Sequence, residues 1–436
     1  MTSMAFKGGR LEGRTSPPPS KSHTHRAFFL ASMADGTSHV SNALMSADTK
    51  ATLAACVAMG AKASEKDGVW TIEGGDLHAP GHVNAENSGT TMRIFAGISS
   101  MFDGETVIDG DDSLRKRPMG PLLQALESTG ARCSSNGGLP PVSIRGPNRG
   151  GRVSIGGDVS SQFITGLLFS LPLLPEDSRI EILPPFQSRG YVDLTLDAMQ
   201  QFGVKVSARA RKNGSMMYRV AAPQRYVASD FAVEGDYSQA AFLAVLGCVI
   251  GGITITGLNP DSQQGDKVIL DILKRCGGKF KPVEGGYHFD RSLLKATEID
   301  LADCPDLGPI LFTLGCFCSG ETVIRNAGRL RLKESDRIDA MRDELQKMGA
   351  RIDVEGDSVH IQGVALHAPN APLSGHNDHR IVMALAVAAI ASGLPALLCG
   401  AEAVEKSWPA FWNVLRSLGA KIELSSDRKE DFDIKA

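Results

Sequence analysis

Six charged side chains lie within nine residues of this chain, in the segment Arg329 to Arg337, which reads Arg-Leu-Arg-Leu-Lys-Glu-Ser-Asp-Arg. The apolar stretch at residues 322–324 predicts a buried strand before the segment, and apolar side chains at helical spacing follow it. The charges are therefore expected in a strand-to-helix loop, where several of them can point at one ligand. Taken alone, such a cluster is more often a helix start with solvated charges, capped here by Ser335 or Asp336.

Six polar loops of small residues lead into apolar, helix-forming stretches, at residues 19–26, 87–93, 157–162, 234–239, 303–306 and 376–380. A helix start offers unpaired backbone N–H groups and a partial positive charge, so Ser, Thr, Lys and Arg there form an anion site. Full positive charge, which capping alone does not require, is added by Lys21, Arg26, Arg93 and Arg380. If the loops converge, they predict a site for a small ligand with phosphate and carboxylate groups, which Arg can bind bidentately.

Two carboxylates, Asp306 and Glu334, lie among these basic residues. A carboxylate in a cationic pocket is ionised and held in position, whereas one that is shielded from water can keep its proton. The pair is therefore suited to act as base and acid in a proton-transfer reaction. The residue types alone leave open which carboxylate takes which role.

One sequence phrase recurs six times along the chain. In each copy an amphipathic helix ends at a glycine. A small or apolar residue follows the glycine, and the next residue is usually basic. The glycines are 70 to 74 residues apart, at Gly60, Gly130, Gly203, Gly277, Gly349 and Gly419. Each stands where a helix C-terminus needs a left-handed residue, and an alternating strand follows each one. Every repeat also contains a second, more apolar helix that runs into a short strand.

Each repeat is thus predicted to contain, in order, a helix, a strand, a second helix, a second strand and usually a third strand. About 70 residues are too few to bury both helices, so neighbouring repeats must share a core. Six repeats predict an α/β (α+β) protein of two domains with three repeats each. The predicted domains are residues 16–227 and residues 1–15 with 228–436. A strand at Gly9 to Gly13 is expected to complete the second domain.

Composition and charge exclude several functional classes. The formal net charge is −3 and aromatic residues make up 6% of the chain, so no nucleic-acid surface is indicated. The longest apolar run, residues 384–398, is interrupted by Gly393 and Pro395 and is too short to cross a membrane. The eight cysteines form no C-x-x-C pair and no signal segment opens the chain, so a cytoplasmic protein without a metal site is expected.

Seven short motifs carry a resemblance to a known family, and they span nearly the whole chain in the family's order. They are Pro19–Ser22 with Arg26, Asn87–Thr90, Ser160–Gln162, Pro305–Asp306, Lys333–Arg337, Asn377–Arg380 and Glu405–Ser407. On these motifs the chain resembles the 5-enolpyruvylshikimate-3-phosphate (EPSP) synthases, a family of enolpyruvyl transferases. The resemblance implies two domains, each built from three βαβαββ units.

The resemblance also implies a reaction. In this family the enolpyruvyl group of phosphoenolpyruvate moves to the 5-hydroxyl of shikimate 3-phosphate and phosphate is released, a step of chorismate and aromatic amino acid biosynthesis. The implied partners are these two small substrates, with no cofactor, no nucleic acid and no membrane, and a monomer is implied. The inhibitor glyphosate competes for the phosphoenolpyruvate site, so sensitivity to it is expected.

The resemblance carries residue roles over position by position. Shikimate 3-phosphate is implied to bind Lys21, Ser22, Arg26, Ser160, Ser161, Gln162, Ser188, Asp306 and Lys333. Phosphoenolpyruvate is implied to bind Lys21, Gly89, Arg117, Gln162, Arg337, Arg380 and Lys406. Asp306 corresponds to the base that takes the 5-hydroxyl proton and Glu334 to the acid that protonates the methylene carbon, and Lys21 is the third implied catalytic residue.

A few positions depart from the family's pattern. His25 stands where Asn is usual, and Ile94 stands where Pro often follows the arginine. Neither departure removes a charged side chain that the resemblance assigns to the site. Arg329 occupies a position where Asn or Glu usually contacts shikimate 3-phosphate, so it is left out of the implied site.

Two other functions compete with this interpretation. The sister transferase, which acts on UDP-N-acetylglucosamine, needs a reactive cysteine in a polar loop, for which Cys133 is the only candidate, and the Ser160-Ser161 and Lys333-Glu334 pairs argue against it. A non-catalytic scaffold would use the polar loops only as helix caps, but repeat scaffolds rarely collect so many distinct charged motifs.

Overall fold

The chain folds into six small sheets, each with helices packed against it. We describe a computed structural model, in which residues 2–7 and 11–425 are described. The α-helices of these residues are α1 (Lys21–Met33), α2 (Ala47–Ala58), α3 (Gly89–Ser99), α4 (Gly120–Glu127), α5 (Ser161–Ser170), α6 (Arg189–Gln201), α7 (Tyr237–Ile250), α8 (Ile269–Arg275), α9 (Gly308–Phe317), α10 (Arg337–Gln346), α11 (His379–Ser392) and α12 (Phe411–Ser417).

The strands of the same residues are short, with two to eight residues each. They are β1 (Ser3–Phe6), β2 (Gly13–Thr15), β3 (Thr37–Ser41), β4 (Lys62–Lys66), β5 (Val69–Glu73), β6 (Gly81–Asn84), β7 (Gly104–Asp109), β8 (Arg132–Asn136), β9 (Leu139–Gly146), β10 (Arg152–Gly156), β11 (Ser178–Leu183), β12 (Val206–Ala210), β13 (Met216–Val220), β14 (Phe231–Ala232), β15 (Ile253–Thr256), β16 (Lys279–Val283), β17 (Gly286–Asp290), β18 (Glu298–Asp300), β19 (Glu321–Arg325), β20 (Arg351–Glu355), β21 (Ser358–Gln362), β22 (Leu373–Ser374), β23 (Ala396–Cys399) and β24 (Ile422–Ser425).

All six sheets share one topology. Their strand orders are β14-β3-β5-β4, β6-β7-β9-β8, β10-β11-β13-β12, β2-β15-β17-β16, β18-β19-β21-β20 and β22-β23-β1-β24. In each sheet the first pair is parallel and the next two pairs are antiparallel, as in β10 with β11, β11 with β13 and β13 with β12. The predicted α/β fold of six repeated units is confirmed.

The glycines that end the amphipathic helices have the predicted left-handed backbone. Their φ angles lie between +80° and +116° at Gly60, Gly130, Gly203, Gly277, Gly349 and Gly419. Side chains other than glycine rarely adopt this conformation, so glycine lets each helix turn directly into the hairpin of its sheet.

Three of the sheets are completed by strands from distant parts of the sequence. β1 pairs antiparallel with both β23 and β24, and β2 pairs parallel with β15. β14 pairs parallel with β3. The chain accordingly divides into one compact unit of residues 1–18 with 235–436 and another of residues 19–234. This division lies three and seven residues from the predicted boundaries, because β14 keeps residues 231–232 with β3.

The N-terminal strand was predicted in the wrong place. Leu11 and Glu12 are not part of a strand, and Gly9 and Arg10 lie outside the described residues. The strands that form are Ser3–Phe6 and Gly13–Thr15, and both pair within the unit that contains residues 235–436. Partner strands more than 200 residues away determine where these strands form, and local alternation does not contain that information.

Each unit has its own apolar core, and the more apolar helix of each repeat is buried in it. In the unit of residues 19–234, α3 and α5 approach so closely that a Cβ at Gly97 would lie 2.3 Å from the carbonyl carbon of Gly166. In the other unit, the Thr313 hydroxyl on α9 donates to the Ala384 carbonyl on α11 at 3.1 Å. These contacts fix the spacing of the helix starts that carry the predicted site residues.

Candidate active site

Serine caps three helix starts in the unit of residues 19–234. The side-chain oxygens of Ser20, Ser88 and Ser160 accept from backbone N–H groups in the first turns of α1, α3 and α5, at 3.4, 3.1 and 3.2 Å. The polar loops therefore do cap helices. The capping also places predicted site residues in each first turn: Lys21 and Ser22 on α1, Gly89 on α3, and Ser161 and Gln162 on α5.

Lys21 and Arg117 supply buried positive charge in this unit. The Lys21 ammonium lies 2.9 Å from the carboxylate of Asp48, which is 6% exposed. Arg117 is also 6% exposed and donates to the Asn87 side-chain oxygen at 3.3 Å. A Cβ at position 89 would lie only 2.7 Å from Nη1 of Arg117, so glycine leaves room for that guanidinium.

Both polar atoms of the Gln162 side-chain amide are hydrogen-bonded. Its Nε2 donates to the Thr90 hydroxyl at 2.7 Å, and its Oε1 accepts from Nη1 of Arg93 at 3.1 Å. The same Arg93 nitrogen lies 3.4 Å from the Ser160 hydroxyl, and the guanidinium lies over the ring of Phe163. Arg93 was predicted to add positive charge to the loop of residues 87–93, but it was not assigned to either substrate. The signal was present, because Arg93 lies one helical turn after Gly89 on α3.

Arg26 and Ser188 are almost completely buried, although the resemblance implies that both contact a ligand. The guanidinium of Arg26 donates to the Thr195 hydroxyl at 2.9 Å and to the carbonyls of Ser22 and Tyr191 at 2.9 and 2.8 Å. Burial lowers the pKa of Arg26 to about 10. Ser188 is 1% exposed and has a left-handed backbone, with φ +55°, just before α6. Arg26 thus joins α1 to α6.

Asp306 is the centre of the cluster in the unit that contains residues 235–436. Its Oδ1 accepts from the Lys333 ammonium at 3.0 Å and from Nη1 of Arg337 at 3.4 Å. Its Oδ2 and its backbone carbonyl accept from the two terminal nitrogens of Arg380, each at 3.0 Å. The structure therefore brings together four of the predicted residues of this unit within hydrogen-bonding reach.

The cations around Asp306 determine its ionisation. Removal from water raises the pKa of this carboxyl, but the charges of Arg380, Lys333 and Arg337 outweigh that effect and hold its pKa well below the ordinary value. Burial lowers the pKa of Lys333, and the charge of Asp306 opposes that change. Asp306 is consequently a carboxylate at neutral pH and can accept a proton.

Arg337 joins Glu334 to a second buried carboxylate. Its Nη2 donates to Oε2 of Glu334 at 2.7 Å, and its Nε donates to Oδ2 of Asp378 at 2.8 Å. Asp378 is fully buried and also caps α11, where it accepts from the backbone N–H of Arg380 at 2.9 Å. Asp378 was not among the predicted site residues, although it is part of the Asn-Asp-His-Arg motif.

Lys406 and His379 lie beside the same loop. The Lys406 ammonium donates to the carbonyl and to the side-chain oxygen of Asn377. His379 is 1% exposed, and its Nδ1 lies 3.8 Å from Asp378. Arg329 belongs to a short 3₁₀ turn, Gly328–Leu332, that precedes Lys333.

Three further features concern the reactive cysteine of the sister transferase, metal binding and membrane crossing. Burial and the neighbouring Glu127 raise the pKa of the Cys133 thiol to about 12, whereas a reactive cysteine needs a lowered one. Within residues 2–7 and 11–425 no cluster of His, Cys, Asp and Glu is arranged to hold a metal ion. Over the same ranges no helix combines the length and the apolar character that crossing a bilayer requires.

Two solved structures that resemble this chain are enolpyruvyl transferases. The EPSP synthase of Acinetobacter baumannii superposes with a TM-score of 0.78 at 28% identity, over 98% of this chain and 100% of that one. The enolpyruvyl transferase NikO of Streptomyces tendae also has a TM-score of 0.78, over 98% and 99% of the two chains, but at 16% identity it supports the fold alone.

Sequence relatives point to one activity. A protein of Methanocaldococcus jannaschii is 42% identical over 96% of this chain and 98% of its own length, and one of Methanocorpusculum labreanum is 43% identical over 94% and 97%. Both are named 3-phosphoshikimate 1-carboxyvinyltransferase. The family model for EPSP synthase (3-phosphoshikimate 1-carboxyvinyltransferase) matches residues 6–415. The predicted family and enzyme class are confirmed: the chain belongs to the EPSP synthase family.

Proposed function

We propose that this chain performs the reaction of its family with Asp306 as the base and Glu334 as the acid. The enolpyruvyl group of phosphoenolpyruvate is transferred to the 5-hydroxyl of shikimate 3-phosphate, and inorganic phosphate is released. The observation that supports these roles best is the placement of Asp306, which three cations hold as a carboxylate.

The proton steps balance with these two carboxyl groups. Asp306 takes the proton of the 5-hydroxyl while the oxygen attacks C2 of phosphoenolpyruvate, and the methylene carbon receives a proton from Glu334. The resulting tetrahedral adduct then loses phosphate, which leaves with the proton that Asp306 took. The Glu334 carboxylate takes back a proton from the methyl group, and the double bond is restored. Fixed positive charge stabilises the leaving phosphate, and such preorganised electrostatics are usually the largest contribution to catalysis.

Substrate binding is assigned to the residues that the resemblance implied. We assign shikimate 3-phosphate to Lys21, Ser22, Arg26, Ser160, Ser161, Gln162, Ser188, Asp306 and Lys333. We assign phosphoenolpyruvate to Lys21, Gly89, Arg117, Gln162, Arg337, Arg380 and Lys406. Most of these cations pair with protein oxygens, and we infer that the anionic groups of the substrates replace some of those partners. A cytoplasmic location, a monomeric state and sensitivity to glyphosate stay predictions.

The first experiment measures phosphate release from phosphoenolpyruvate with and without shikimate 3-phosphate. Release that strictly requires shikimate 3-phosphate supports the proposal. If the folded protein releases phosphate only with UDP-N-acetylglucosamine as acceptor, the proposal is wrong and the sister reaction takes its place. If no acceptor elicits release, the proposed activity is rejected.

The role of Asp306 is tested with Asp306→Asn. The amide cannot take the hydroxyl proton, so kcat should fall by roughly 10²- to 10⁴-fold, the range for loss of a general base. The control is Asp303→Asn, which changes an exposed carboxylate in the same loop. A kcat for Asp306→Asn close to that of the control would exclude Asp306 as the base.

A further inference from the structure

The loop of residues 373–380 is held against α10 by two side chains of that helix. Arg337 and Glu344 are seven residues apart, which places them two helical turns apart on one face. Arg337 pairs with Asp378 at the end of the loop, as described above. Glu344 binds the beginning of the loop, and no role in the reaction has been assigned to it so far.

Glu344 is a buried carboxylate with three partners. It is 3% exposed, and its Oε2 accepts from the Lys347 ammonium at 2.7 Å and from the backbone N–H of Ser374 at 2.8 Å. Its Oε1 lies 2.9 Å from Nε2 of His376. A carboxylate out of water needs such partners, and here two of the three belong to the loop.

The segment that Glu344 holds has an unusual backbone. His376 and Asn377 are consecutive non-glycine residues with φ of +48° and +53°. Residues other than glycine adopt this left-handed conformation only when surrounding contacts favour it. The contacts in this case are Glu344 on His376 and Lys406 on Asn377. A Cβ at Gly375 would lie 2.4 Å from Val382, so glycine is needed just before these residues.

The left-handed pair determines where the next residues lie. Asp378 follows directly, caps α11 and pairs with Arg337, and Arg380 follows two residues later. Lys406 is held by the backbone carbonyl of Asn377 itself. Three of the cations assigned to phosphoenolpyruvate are therefore connected to one loop whose conformation depends on Glu344.

We propose that Glu344 is a positioning residue for phosphoenolpyruvate, which acts through His376 to hold the 376–380 loop and with it Arg337, Arg380 and Lys406. The proposal rests on the proposed function, because it takes these three cations as ligands of that substrate. Glu344 itself need not touch the substrate. Its loss should therefore weaken the binding of phosphoenolpyruvate more than that of shikimate 3-phosphate, because none of the residues assigned to shikimate 3-phosphate belongs to this loop.

The test measures KM for each substrate and kcat for Glu344→Gln. The amide has nearly the same shape but lacks the charge that His376 and Lys347 contact, so KM for phosphoenolpyruvate should rise about tenfold, as expected for a lost charged hydrogen bond. KM for shikimate 3-phosphate should change less than about twofold, whereas kcat can also fall, because Arg337 and Arg380 contact Asp306. The control is Asp343→Asn, which alters an exposed carboxylate of the same helix.

His376→Asn separates positioning from a general loss of stability. Asn tolerates the left-handed backbone but cannot extend to Glu344, so this variant should raise KM for phosphoenolpyruvate by a similar factor. If Glu344 acts through His376, the double variant Glu344→Gln/His376→Asn should be no worse than either single variant. Thermal unfolding of every variant shows that folded proteins are compared.

Several results would overturn the inference. One is a KM for phosphoenolpyruvate in Glu344→Gln that is close to that of Asp343→Asn. A second is an equal change in the KM values of both substrates. A third is an additive rise in KM for phosphoenolpyruvate in the double variant. A failure of the proposed function is recognised separately, because the unmodified chain would then release no phosphate with shikimate 3-phosphate.

Discussion

At the scale of single residues, the departure at His25 has a structural consequence. Its Nδ1 lies 2.6 Å from the Thr52 hydroxyl, which lies 2.7 Å from the Thr91 hydroxyl. Thr91 in turn donates to Ser88, the cap of α3, at 2.7 Å. His25 thereby links α1 to the start of α3, where Gly89 lies. Burial, together with the charges of Lys21 and Arg26, lowers its pKa well below 6.5.

His25 should make the stability of this chain sensitive to mild acid. A histidine with a lowered pKa in the folded state stabilises the fold fully above the unfolded-state pKa, near 6.5, and this contribution is lost as the pH falls below it. Relative to His25→Asn, the free energy of unfolding should decrease by up to about 1.4 kcal/mol per pH unit below that value.

Urea unfolding of both proteins at pH 7.5 and pH 5.5 measures this difference. The matched control is His39→Asn, since His39 lies on β3 with a side chain that is 52% exposed. If the parent and His25→Asn lose equal stability between the two pH values, His25 is not held in its neutral form.

At the scale of secondary-structure elements, the start of α10 orders the charged segment Arg329 to Arg337. Two candidate caps were predicted, and the structure selects Asp336, whose Oδ1 accepts from the backbone N–H groups of Ile338 and Asp339 at 3.1 and 3.2 Å. The Ser335 hydroxyl instead donates to Asp378 at 3.1 Å. The segment is therefore both a capped helix start and a cluster of paired charges, so the two interpretations of it are compatible.

Loss of this cap should loosen the adjacent site residues. Asp336→Ala leaves two N–H groups without their acceptor, and the usual cost of such a loss is about 1 kcal/mol. Asp336→Asn keeps a capping oxygen and should cost much less. Denaturant unfolding compares the two variants with the parent. Equal stability of the alanine and asparagine variants would show that the pairing of Asp336 with Arg331, and not the cap, is what matters at this position.

The sequence predicted repeated elements better than it predicted isolated side chains. The strand predicted at residues 322–324 lies within β19, Glu321–Arg325, because a short apolar run is a local feature of the sequence. Asp378 was missed, and Arg93 was predicted to add charge but was not assigned to a substrate, because the side-chain partners of both come from other helices. The left-handed His376 and Asn377 were not foreseen either, since neither residue type requires that conformation and only tertiary contacts impose it.

At the scale of the whole molecule, strand β1 ties the first described residues to the last. Met4 and Phe6 are buried in the core of the unit that contains residues 235–436, and the ring centroid of Phe6 lies 6.2 Å from that of Trp412. β1 is an inner strand of its sheet, with β23 on one side and β24 on the other.

Phe6→Ala should therefore destabilise the sheet of β22, β23, β1 and β24 from within. Loss of a buried phenylalanine side chain typically costs about 3 to 5 kcal/mol. Hydrogen exchange should show reduced protection of the β23 and β24 amides, while the amides of β7 and β9 in the other unit keep theirs. Lys7→Ala, which changes a mostly exposed neighbour, is the control. Unchanged protection of β23 and β24 in Phe6→Ala would contradict the inner position of β1.

The inner position of β1 also sets an order of events during synthesis of the chain on the ribosome. Residues 19–234 contain every strand of their own three sheets, so this unit can fold while the remainder is still being translated. β1 precedes its partners, residues 396–399 and 422–425, in the sequence and is therefore synthesised long before them. During this interval β1 has neither of its strand partners, so its backbone hydrogen bonds in the sheet can form only after residues 396–399 and 422–425 have been translated.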